Sequence, residues 1–90
     1  MIRVKWLDQT ASIGCPSTWE GETDGGKFIY IRWRHDFLRA VVGKHDSTYH
    51  IDNEINILSD CDVIYYEATP KGLEVTTEVM ERILEKYFIF

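Results

Sequence analysis

Arg32, Arg34 and Arg39 carry the strongest chemical suggestion in this sequence, because Phe28 and Tyr30 alternate into the same run. A guanidinium is planar, permanently charged and able to give two parallel hydrogen bonds to one carboxylate or phosphate. Arginines interleaved with aromatic residues make up protein–protein hot spots. They also make up sheets on which bases stack. Glu20 and Glu22 fall on the same surface in the pairing set out below, which favours a protein over a polyanion as the partner. The plain alternative is a ladder of solvated charges. In that pairing Arg32 lies opposite Arg39, and like charges across a ladder cost up to about 1 kcal/mol. Glu20, diagonal to Arg32, is expected to offset part of this cost.

A second cluster is acidic. Asp46, Asp52, Glu54, Asp60, Asp62 and Glu67 lie between residues 45 and 70, a stretch without Lys or Arg. One reading is a docking strip whose carboxylates stand where a basic partner expects phosphates. The other is a solubilising loop surface. No D-x-D-x-D-G run marks a calcium loop. Cys15, before Pro16, would need His35, His45 or His50 as a base to act as a nucleophile, and no spacing selects one. Both Cys15 and Cys61 read as small buried groups, and Asp60 and Asp62 beside Cys61 oppose its thiolate. His45 and His50 with Asp46 and Asp52 are metal-donor types, but their spacing is not that of a zinc motif. We therefore expect no catalytic, cofactor or metal site, and the protein is not read as an enzyme. The candidate binding residues are Tyr30, Arg32, Arg34 and Arg39, with Asp52, Glu54, Asp60 and Asp62 as the acidic counterpart.

The elements that position the arginines follow from alternation. A three-residue turn over Asp24-Gly25-Gly26 sets Thr23 against Lys27, Trp19 against Ile31 and Glu20 against Tyr30. A tight turn over His35 and Asp36 sets Trp33 against Leu38, Ile31 against Ala40 and Ile29 against Val42. One face then holds Trp19, Ile29, Ile31, Trp33, Leu38, Ala40 and Val42. The other holds Glu20, Glu22, Phe28, Tyr30, Arg32, Arg34, Arg39 and Val41. A one-residue slip would destroy this sorting.

Around this meander, Ile2, Val4 and Trp6 alternate with Arg3, Lys5 and Leu7 as a half-buried first strand. Residues 9–17 read as a loop. Gly43 is expected to end the meander, with GKHDST as a loop. Residues 48–58 fit either two short strands or a helical turn capped by Asp52. SDCD at 59–62 reads as a turn, and Val63–Ala68 as a strand. Thr69-Pro70-Lys71-Gly72 reads as a turn, followed by a short returning strand through Leu73 and Val75. The last helix is capped by Thr76 or Thr77. It carries Val79, Met80, Ile83, Leu84 and Tyr87 on one face, with a Glu78–Arg82 pair. The apolar tail Phe88-Ile89-Phe90 reads as the end of the core, with self-association as the alternative. The expected class is α+β: an antiparallel sheet of four to six strands with one C-terminal helix packed on its apolar face, one domain over residues 1–90.

With 44% hydrophobic residues and a net charge of −5, disorder and bulk sequence-independent binding to nucleic acid are disfavoured. No signal peptide or membrane span is read, and two cysteines without a framework suit a reducing cytoplasm.

Cys15-Pro16-Ser17-Thr18-Trp19-Glu20-Gly21, then Asp24-Gly25, then Tyr30-Ile31-Arg32, resembles a pattern in small proteins of phages and mobile elements: C-P-x-x-W-E-G, D-G, Y-x-R-x-R. The resemblance spans residues 15–42. It implies a phage or prophage origin and a loop and hairpin that form one unit. The combined expectation is a non-catalytic protein-binding module, of the kind a phage uses as an accessory factor or host-factor inhibitor, acting on a host or phage protein. Nucleic-acid binding through the aromatic and arginine face is the alternative, with a small cysteine enzyme last. A homodimer through Phe88–Phe90 or a sheet edge is a further possibility.

Overall fold

The computed structural model describes residues 1–11, 17–46 and 57–90. Its strands are β1 (Ile2–Ala11), β2 (Ser17–Thr23), β3 (Lys27–Arg34), β4 (Phe37–Asp46), β5 (Cys61–Ala68) and β6 (Phe88–Ile89). Two helices are described, α1 (Ile57–Asp60) and α2 (Thr77–Leu84). The strands form one six-stranded sheet in the order β5-β4-β3-β2-β1-β6, curled into a half-barrel. All pairings are antiparallel except β1 with β6. The expected α+β class, sheet and C-terminal helix are what the chain forms.

Both hairpin registers agree with the alternation argument. Trp19 pairs with Ile31 and Glu20 with Tyr30; Ile31 pairs with Ala40, Arg32 with Arg39 and Trp33 with Leu38. His35 and Asp36 have φ of 52° and 60°. Positive φ at both central residues is the type I′ geometry whose twist matches paired strands. Asp and His tolerate that region better than most residues. The first turn closes through Gly26 N–H to Thr23 O at 2.9 Å and Lys27 N–H to Thr23 Oγ1 at 3.0 Å.

The core is Trp19, Ile29, Ile31, Leu38, Ala40 and Val42 from the sheet against Val75, Met80, Leu84 and Phe88. The sheet residues are the apolar face expected of the meander, except that Trp33 is only partly buried; Met80 and Leu84 come from α2, and Val75 and Phe88 from the segments on either side of it. Thr76 caps α2 by accepting Val79 N–H at 3.3 Å, and Glu78 pairs with Arg82 at 3.2 Å. Two indole N–H groups end on threonine hydroxyls. Trp19 Nε1 donates to Thr77 Oγ1 at 2.9 Å, and Trp33 Nε1 to Thr69 Oγ1 at 3.1 Å. Each hydroxyl donates onward, Thr77 to Gln9 Oε1 and Thr69 to Asp36 O. The large residues thus bury without orphaning their polar atoms.

Several local expectations are corrected. β1 runs on to Ala11 and β2 begins at Ser17, so only residues 12–16 of the expected loop lie outside the strands. A register shift between Val4 and Trp6 makes Lys5 an extra residue and reverses the alternation beyond it. Leu7 therefore turns to the core, and Trp6 is 46% exposed. Gly43 does not stop β4, because pairing with Cys61 carries the strand on to Asp46. Ser59-Asp60 belongs to α1 and Cys61-Asp62 to β5, so 59–62 is not a free turn. The later turn is shifted by one residue: Leu73 N–H bonds Pro70 O at 3.1 Å, with Gly72 at φ +84°. Residues 73–76 form no strand; Val75 is buried as part of the core. Helix α2 ends before Tyr87, whose ring meets Tyr65 at 5.8 Å. Phe88 is buried and pairs with Ile2 in parallel, while Phe90 stacks on Phe88 at 5.7 Å. The tail is thus anchored in the core, with Ile89 and Phe90 exposed at its end.

Candidate functional site

The face of the sheet opposite α2 sorts its charges by strand. Trp6 stands against Glu22 and Asp8 against Glu20, so β1 and β2 present carboxylates. On β3 and β4, Arg32 stands against Arg39 and Arg34 against Phe37. Arg39 in turn faces Tyr66 on β5, so Arg32, Arg39 and Tyr66 form a row across three strands. The I′ turn holds Arg34 and Phe37 just beyond that row.

Between them lies an open pocket of about 190 Å³ lined by Arg32, Arg34, His35, Phe37, Arg39 and Tyr66. One wall is aromatic: the Phe37 and Tyr66 rings lie 5.5 Å apart at 58°. They are 45% and 60% exposed, which is costly apolar area without a partner. Arg34 Nε donates to His35 Nε2 at 2.9 Å, which ties one guanidinium to the turn. The other two differ. Arg32 Nε and Arg39 Nε are buried and, among the described residues, have no hydrogen-bond acceptor. Buried donors are nearly always satisfied, so two orphans side by side call for a physical reason. The offset expected from Glu20 does not occur: among the described residues, no carboxylate comes within 4.0 Å of Arg32, Arg34 or Arg39. Glu22 is met instead by Lys5, at 4.0 Å.

Tyr30 is on this face but not in the pocket. It is half-buried and stacks on Phe28 at 6.3 Å, between Glu20 and Val41 in the ladder. Val41, expected on the exposed surface, has no exposed area. The middle of this face, around Tyr30 and Val41, is therefore more enclosed than a solvated ladder. Phe37 and Tyr66 were not singled out in the sequence, and His35 was read only as a turn residue and a candidate base for Cys15. Alternation from Arg39 back to Phe37 and across to Tyr66 is the signal that finds the two aromatic residues.

The described residues of the acidic cluster do not gather here. Asp60 Oδ1 lies 3.8 Å from His45 Nε2, and Asp62 lies near the other end of the sheet beside Arg3 and Lys27. Asp52, Glu54, Cys15 and His50 lie outside the described residues. Cys61 is buried at the start of β5, and its thiol is pushed up by that burial first and by Asp60 and Asp62 second. The neutral thiol is favoured, which is the reverse of what a nucleophile needs. Tyr65 is pushed up by burial and by a hydrogen bond with Glu67. Among the described residues, no group of three or more His, Cys, Asp or Glu is placed to hold a metal. No described helix is long and apolar enough to cross a membrane.

Comparison of the chain with protein-family models, with curated proteins and with solved structures gives no match.

Proposed function

We propose that this protein is a non-catalytic protein-binding module whose contact surface is the arginine end of the open sheet face. One observation carries the reading. Three guanidiniums and two exposed aromatic rings converge on one pocket, and the carboxylates of the same face stay on the neighbouring strands. A face built only for solubility would gain by pairing those charges internally. Leaving them unpaired next to Phe37 and Tyr66 is the composition of an interface anchor. Among the described residues the lining has one histidine and no cysteine, serine or carboxylate to work with it, so the pocket suits binding better than turnover. A phage or prophage accessory role in the cytoplasm, directed at a host protein, fits the resemblance of residues 15–42 and the small acidic chain.

Capture from host lysate tests this with two baits. Arg32→Glu with Arg39→Glu should lose the partner, whereas Glu20→Lys with Glu22→Lys should keep it. Equal capture by both would remove the arginine face from the reading. The nucleic-acid alternative is checked by a gel shift at low salt, where binding should fall steeply as salt rises. Asp8, Glu20 and Glu22 across the face oppose it. Self-association falls to the sheet's outer strands, β5 and β6, or the exposed Ile89 and Phe90, and sedimentation at several concentrations measures it.

A further inference from the structure

We infer that the pocket of Arg32, Arg34, Arg39, Phe37 and Tyr66 takes a phosphate monoester carried on a planar organic group. This rests on the reading of the arginine face as the contact surface, and it names the chemical group recognised there.

Charge decides between the oxyanions. Among the described residues the lining contributes three guanidiniums and no carboxylate. A ligand carboxylate would neutralise one of these charges, and a phosphate dianion two. Geometry agrees with charge. Arg32 and Arg39 sit directly opposite each other, and both line the pocket with Arg34. A tetrahedral phosphate offers three terminal oxygens, enough to meet the guanidiniums of Arg32 and Arg39 and still face Arg34. Charge-assisted bonds of this kind are the strong ones.

Size fixes how much of the ligand enters. Small-molecule sites usually enclose roughly 300 to 1,000 Å³, and this pocket encloses about 190 Å³. It holds a terminal group and the edge of whatever bears it. Phe37 and Tyr66, tilted at 58° and both exposed, give that edge an apolar wall. A polymeric phosphate backbone fits less well. Continued across the sheet, it would run from the arginines of β3 and β4 onto Glu20, Glu22 and Asp8. A single terminal phosphate avoids them. The same chemistry is offered by a phosphorylated aromatic side chain of a protein partner and by a free nucleoside monophosphate.

The test needs no partner. The side-chain Nε–H resonances of Arg32 and Arg39 are followed by ¹H–¹⁵N NMR on the whole chain during titration with phenyl phosphate, inorganic phosphate, benzoate and adenosine monophosphate. Both resonances should shift with phenyl phosphate. Benzoate should bind about tenfold or more weakly, the loss of one strong charge-assisted contact. Phe37→Ala should abolish the advantage of phenyl phosphate over inorganic phosphate. Arg39→Gln should weaken every phosphate ligand. A higher affinity for phenyl phosphate than for the nucleotide indicates the side-chain source, and the reverse order the free one. Unmoved resonances at millimolar phenyl phosphate, or benzoate binding as tightly, would overturn the assignment. Should that happen while the arginine-reversed bait still loses its protein partner, only the phosphate assignment falls. Phosphate binding with no arginine-dependent partner would instead leave the pocket and remove the protein-binding reading.

Discussion

Replacing Arg39 by methionine should make the protein more stable. Arg39 faces Arg32 directly across the β3–β4 ladder, and its Nε is buried without an acceptor. Opposed like charges cost up to about 1 kcal/mol, and an unsatisfied buried donor costs about 1–3 kcal/mol. Methionine keeps much of the aliphatic stem that covers the neighbouring apolar surface. Arg39 is only half-buried, so solvent screens much of the charge effect. A net gain of about 1 kcal/mol is the expected size, which for a domain of this length raises the unfolding midpoint by about 4–8 °C. Thermal and urea unfolding of the wild type, Arg39→Met, Arg32→Met and the double variant measure it. The two arginines share one repulsion, so the double variant should gain less than the sum of the single ones. Added salt should stabilise the wild type more than either single variant. A loss of stability in Arg39→Met at unchanged urea slope would refute the reasoning. Arg39 would then be holding the fold together and would not be reserved for an outside anion.

Other consequences follow from the packing. Gly21→Ala places a methyl group against the Trp6 carbonyl and Leu7 on β1; overpacking of this kind costs about 1–3 kcal/mol or more, read as a lower urea midpoint. Thr69→Val removes the hydroxyl that accepts the Trp33 indole N–H and bonds Asp36 O. It should destabilise by about 1–3 kcal/mol, with Thr69→Ser restoring most of the loss. Cys61, whose thiol is pushed up by burial, should react with thiol reagents more slowly than a free cysteine. Its folded form stays protonated where the unfolded chain ionises, so stability should fall as pH rises through its ordinary value of 9.0. Cys61→Ala should flatten that part of the stability–pH curve, and an unchanged curve would contradict the sign.

The hairpin registers were legible because short loops leave few pairings, and only one sorts Trp19, Ile31 and Leu38 away from Arg32 and Arg39. The helix was legible from its cap and stripe, Thr76 followed by Met80 and Leu84. What escaped depends on long-range partners. Gly43 reads as a strand end until Cys61 pairs with it. Trp6 reads as core until an extra residue at Lys5 reverses the strand. Two residues of parallel pairing at Phe88-Ile89 have no periodicity to detect. At the site, the arginines were visible, and so was their opposition. The pocket was not, because its aromatic wall needs the β4–β5 register to bring Tyr66 beside Phe37.

The most direct measurement is a crystal structure of the protein grown with phenyl phosphate. The phosphate is expected between the guanidiniums of Arg32, Arg34 and Arg39, with the ring against Phe37 and Tyr66. Guanidiniums swung onto Glu20 or Glu22, or a phosphate bound elsewhere, would contradict a face whose arginines are kept for an external anion.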